Sequence, residues 1–189
     1  MTLEELIARH EAAHAVLAVL FAYGLYIGID IDLLNKSGGT GAVGVRIADI
    51  DHTALSGEDL EAAIEEKAQE IRQSLHVILG GPAADAVYQG VDFASALDGQ
   101  PSDKKKAYEF MSRAGITDKF ADQLVASVGE ETVARLKNSD VGDAVIALAD
   151  RLLIVRRMDG PAFEAEAKKA LMEAVERREA AGQVEPGKV

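Results

Sequence analysis

Apolar side chains at Leu3, Leu6, Ile7, Leu17 and Phe21 predict a helix over residues 3–22, with His10 and His14 on the same seam. Beyond His14 this segment is apolar on every side, the pattern of a helix surrounded by protein. From Leu25 the period shortens to two. Tyr26-Ile27-Gly28-Ile29-Asp30-Ile31-Asp32-Leu33 reads as a strand with one wet face. The turn residues Asn35-Lys36-Ser37-Gly38-Gly39 lead to a second short strand, Ala42-Val43-Gly44-Val45-Arg46-Ile47, so a small hairpin is expected. Ser56-Gly57-Glu58-Asp59 opens a helix expected to reach about Leu79. Gly80-Gly81-Pro82 then kinks or ends it, and residues 83–89 are helical again. Residues 99–102 form a loop, with Ser102 as N-cap of a helix from Asp103 to about Ala114. Amphipathic helices follow at 118–137, 140–157 and 161–180, the second carrying Val141, Ala144, Val145, Leu148, Leu152 and Val155 on one face. Residues 181–189 have little to pack and read as a flexible tail. The expected fold is mainly α (α+β). It is one domain over 1–180, with a small sheet in the first 120 residues and a C-terminal helical bundle after it.

Composition narrows the function. The 189 residues contain no cysteine, which excludes thiol catalysis, disulfide frameworks and Cys-ligated zinc or iron–sulfur sites. Thirty-two acidic against 20 basic side chains give a net charge of −12, the wrong sign for a nucleic-acid binder. Aromatic residues are 5% and tryptophan is absent, so no base-stacking platform is expected. Residues 15–29 are uncharged, but the run is shorter than the ~20 residues of a spanning helix and is interrupted by Gly24 and Gly28. No membrane span is expected. The first ten residues carry Glu4, Glu5 and Arg9 in place of a signal peptide's basic and apolar regions, which points to the cytoplasm.

His10-Glu11-Ala12-Ala13-His14 fits the H-E-x-x-H pattern on the first predicted helix. Positions i and i+4 share a face, so both imidazoles can reach one cation. A zinc ion there would lower the pKa of its water to roughly 7, and Glu11 could take the proton and pass it to a leaving amine. With four histidines and 17 glutamates in the chain, chance placement gives roughly 0.006 such matches. Two core histidines that merely satisfy polar neighbours are the competing reading, but a pair of imidazoles beside a carboxylate on an apolar helix is costly without a shared partner. A catalytic zinc needs a third protein ligand. His52, His76, Asp85 and Asp103 are the candidates, and spacing alone does not choose among them.

Four segments in order resemble the peptidase domain of the FtsH-type ATP-dependent zinc metalloproteases, over roughly residues 5–120. They are Arg9-His10-Glu11-Ala12-Ala13-His14-Ala15; Gly41-Ala42-Val43-Gly44-Val45; Leu79-Gly80-Gly81-Pro82-Ala83-Ala84-Asp85; and Ser102-Asp103-Lys104-Lys105-Lys106-Ala107, followed by Gly115-Ile116-Thr117-Asp118-Lys119-Phe120. The resemblance implies Asp103 as third zinc ligand and a supporting role for Asp85. It also implies a strand edge at Ala42, Val43 and Gly44 that pairs with an extended substrate. There are departures. Ala13 stands where the family has glycine, so a neighbour must be smaller. Pro82 replaces an arginine, which bears on the continuity of that helix. No phosphate-binding glycine loop is present, hence no ATPase module within these residues.

The expectation is therefore a zinc endopeptidase acting on unfolded or extended polypeptides, with His10, His14 and Asp103 on Zn2+ and Glu11 as general acid/base. A catalytically weak or inactive peptide-binding module with the same fold is the alternative. A separate unfoldase or a homo-oligomer is left open as partner.

Overall fold

Thr2 starts the first helix, α1 (Leu3–Leu20), through a reciprocal cap. Its hydroxyl accepts from the Glu5 N–H, and the Glu5 carboxylate accepts from the Thr2 N–H. Two otherwise orphaned donors are satisfied, and Glu4 and Glu5 sit at the positive end of the helix dipole. The computed structural model describes residues 1–21, 29–30, 58–137 and 139–183. Among them seven more helices follow: α2 (Glu58–Ile78), α3 (Gly80–Gln89), α4 (Phe93–Asp98), α5 (Pro101–Arg113), α6 (Asp118–Leu136), α7 (Ser139–Val155) and α8 (Gly160–Gln183). The described fold is all-α.

α1 runs through the middle of the molecule and packs on α3, α7 and α8. Ala8, Ala12, Ala13, Ala15, Val16, Leu17 and Ala18 are fully buried, which is why its sequence beyond His14 lacks a polar face. Leu17, Leu75, Leu79, Phe110, Met111, Leu148 and Leu152 are the large buried side chains of the core, each contributing about 1.5–3 kcal/mol. α6 carries Gly129 where a Cβ would fall 2.0 Å from the Phe93 ring. That seat fixes α4, and with it the start of α5, against α6.

Among the described residues strand is confined to β1 (Ile29–Asp30), paired antiparallel with β2 (Arg157–Met158), Ile29 facing Met158. The partner of β1 here is the α7–α8 connection. The rest of the expected hairpin, including 42–47, lies outside the described residues. α7 stops at Val155 rather than near 157, because Arg156 takes a left-handed backbone (φ 64°) that ends the helix and releases the next two residues as β2.

Other boundaries also differ from expectation. Ser102 is not a cap. α5 begins at Pro101, after Gln100, which makes no side-chain cap bond. Proline suits a first helical position because its missing N–H would have no partner there. The short helix α4 was not expected; Asp92 caps it by accepting from Ser95 N–H. α8 continues to Gln183, past the expected end near Ala180, and residues 184–189 lie outside the described set. Gly80-Gly81-Pro82 does interrupt the helix. α2 ends at Ile78, Leu79 turns the chain and α3 starts at Gly80. Pro82 has no N–H for the Ile78 carbonyl, and its ring would clash there.

Candidate metal centre

α1 presents His10 and His14 one turn apart, with the rings edge to face at 5.0 Å and 74°. Their Nε2 atoms are 3.3 Å apart. Asp103, in the first turn of α5, brings Oδ2 to 3.0 Å from His10 Nε2 and 3.8 Å from His14 Nε2. His10 and Asp103 are buried, while His14 is half-buried.

The opposite ring nitrogens are tied down. His10 Nδ1 lies 3.1 Å from Asp85 Oδ2 on α3, and His14 Nδ1 lies 2.7 Å from the Val77 carbonyl. A carboxylate and a carbonyl only accept, so both Nδ1 atoms carry the proton and donate. Val77 sits in the last turn of α2, where carbonyls lack intrahelical partners. The interruption at Leu79 thus makes its oxygen available to His14. Gln100 Nε2 donates to the same Asp85 oxygen at 2.6 Å and steadies that carboxylate.

With both Nδ1 atoms protonated, neutral rings point two Nε2 lone pairs and one carboxylate oxygen at a single space. Three acceptors converging this closely need a positive charge between them. A proton can supply it. Burial works against charge on His10, but the hydrogen bonds with Asp103 and Asp85 outweigh it and push the imidazolium up to about 10. Burial would raise the Asp103 carboxyl; hydrogen bonds with His10 and His14 hold it far below the usual carboxylate range instead.

A metal ion could supply it as well. Tetrahedral zinc with ligand bonds of about 2.0–2.1 Å separates its donor atoms by roughly 3.3–3.4 Å, and the observed separations of 3.0, 3.3 and 3.8 Å bracket that value. The donors are borderline-soft imidazoles plus one carboxylate, and each Nδ1 has the outer acceptor that metal-bound histidines use. His10, His14 and Asp103 are the group among the described residues that could hold a metal ion.

α3 reaches this close to α1 because its first residues lack side chains. A Cβ on Gly80 would fall 2.9 Å from Leu17 Cδ1 and 3.2 Å from the Ala13 backbone. Gly80 thus lies directly against the α1 backbone at Ala13 and His14. Gly81 seats the His10 ring itself. Arg9 stacks over the Tyr88 ring at 4.5 Å, closing the same α1–α3 contact.

Glu11 is half-buried, and no hydrogen bond or ion pair engages it among the described residues. Asp85, one of the open ligand candidates, is fixed on the far nitrogen of His10. His76 is elsewhere: it donates from Nδ1 to Thr132 Oγ1 at 2.8 Å and stacks on Phe21. His52 and the expected substrate strand Ala42, Val43 and Gly44 lie outside the described residues. Sequence reasoning missed the Val77 carbonyl, Gln100, and Lys106, whose Nζ donates to Asp103 Oδ1 at 3.0 Å. Only Lys106 had a local signal, its i+3 position on the Asp103 helix. Among the described residues no helix is long and apolar enough to cross a membrane. The chain matches no protein-family model and no curated protein.

Proposed function

We propose that this protein is a zinc-dependent endopeptidase related to the FtsH-type peptidase domains. The observation that carries the reading is the convergence of His10 Nε2, His14 Nε2 and Asp103 Oδ2, with both Nδ1 protons already committed to acceptors. That arrangement on an H-E-x-x-H helix suits a catalytic ion with three protein ligands and one open position.

A zinc ion bound there supplies a Lewis acid that makes water a nucleophile near neutral pH. The chain's own residues do the rest. His10 and His14 present Nε2 because Asp85 and Val77 hold the other nitrogen. Glu11, adjacent to His10 and uncommitted among the described residues, takes the proton from the attacking water and returns it to the leaving amine. The resemblance to those peptidase domains assigns substrate pairing to Ala42, Val43 and Gly44. Peptides, disordered tails and unfolded polypeptides are the substrates these residues can take by themselves. A folded domain is stable by about 5–15 kcal/mol and rarely exposes such a segment.

Hydrolysis of unfolded casein by the zinc-loaded protein, with Glu11→Gln in parallel, tests the reading. Cleavage by the wild type and none by the variant, at equal zinc content, is the expected result. Equal rates would remove Glu11 as the base. Peptide binding without cleavage by either protein would favour a non-catalytic binding module.

A further inference from the structure

Lys106 lies one turn beyond Asp103 on α5, and its Nζ is 3.0 Å from Asp103 Oδ1, while Oδ2 faces the two imidazoles. The pair is asymmetric. The Asp103 side chain is 7% exposed and the Lys106 side chain 48%, so a solvated cation reaches inward to a buried carboxylate. The neighbouring lysines turn elsewhere: Lys104 pairs with Asp98 and Lys105 with Glu109. Of this run, Lys106 alone meets the metal group among the described residues.

We propose that Lys106 is a positioning residue that occupies Asp103 Oδ1 and so leaves Oδ2 as the single carboxylate donor toward the metal. The inference rests on the metal reading above. A carboxylate rotates about a broad, two-fold torsion, so nothing intrinsic to aspartate keeps one oxygen forward. Carboxylates can also bind a cation through both oxygens, and a second oxygen would fill the position that a catalytic zinc keeps open. A lysine has three donors and no acceptor, so it can hold Oδ1 without competing for the cation. It also offsets part of the carboxylate charge, leaving the ion more electrophilic. An exposed ion pair is ordinarily worth little; here its effect is on which oxygen points inward.

The test uses the full chain with Co2+ in place of zinc, because visible cobalt absorption reports coordination number. Wild type should take one cobalt per chain with the strong bands of a four-coordinate site. Lys106→Met should keep one cobalt and the wild-type helical circular dichroism, while the band intensity falls about two-fold or more as Oδ1 joins the metal. Lys106→Arg should restore the wild-type spectrum. A Lys106→Met spectrum identical to wild type would overturn the proposal, as would a Lys106→Arg spectrum matching that of Lys106→Met. Failure of the wild type to bind cobalt would overturn the metal reading itself, before any substitution is compared.

Discussion

A Cβ placed on Gly81 would fall 2.2 Å from Nε2 of His10, so the imidazole occupies the space that any other residue at position 81 would claim. The glycine lets α3 pass directly beneath the histidine face of α1. The same approach brings Asp85, one turn further along α3, to the far side of that ring.

Gly81→Ala should therefore displace the His10 ring while leaving most of the helix packing intact. We expect zinc affinity to fall at least about tenfold and stability to drop by about 1–3 kcal/mol, the usual range for overpacking. Zinc titration beside thermal unfolding measures both. Wild-type affinity in this variant would mean that the ring position is not set by α3.

The two aspartates should separate cleanly in metal affinity. Asp103→Ala removes a donor and should abolish stoichiometric zinc, as should His14→Ala. Asp85→Ala removes only the acceptor on His10 Nδ1, a change that typically costs about 10–100-fold in affinity. Metal content after gel filtration ranks them. The reverse order would make Asp85 the ligand.

Zinc uptake should release a proton. His10 is pushed up to about 10 in the metal-free site, so at pH 7.5 its Nε2 is protonated and must lose that proton to coordinate. About one proton per zinc from His10, plus a further fraction from the metal-bound water, is expected at pH 7.5; the His10 share disappears above pH 10, and apparent affinity should rise with pH across that window. Calorimetry in buffers of different ionisation heat counts the protons. Zero release at pH 7.5 would contradict coordination through His10.

His76 should make the fold acid-sensitive. Burial, with the nearby Arg135 and Arg72 charges, pushes it down to about 4 against the opposing Glu131. Between pH 6.5 and 4 the unfolded chain binds this proton and the folded protein does not, so stability falls as pH drops through that window. The loss is about 3 kcal/mol from this group alone. Comparing wild type with His76→Gln by urea unfolding at pH 7 and pH 4 isolates it. Equal pH dependence in the two proteins would refute the assignment.

What could be read from the chain alone was what depends on near neighbours. The helical period placed His10 and His14 on one face, and Gly80-Gly81-Pro82 marked the interruption before α3. Local start chemistry was less reliable. Ser102 looked like a cap, yet Pro101 had already taken the first helical position.

The third ligand was a different matter. Asp85 and Asp103 lie 75 and 93 residues from His10, and no periodicity spans such distances. Resemblance favoured Asp103, while the tertiary packing gave both aspartates a place, one on each nitrogen of the same ring. That outcome depends on Gly80 and Gly81 letting α3 under α1, and on Gly129 seating Phe93 so that α5 begins beside His14. The sequence by itself determined a pair of imidazoles one turn apart on a buried helix, placed so that they could share a cation. Only the packing of three distant helices decided which oxygens and nitrogens converge there, because side-chain contacts across helices follow from how closely backbones approach.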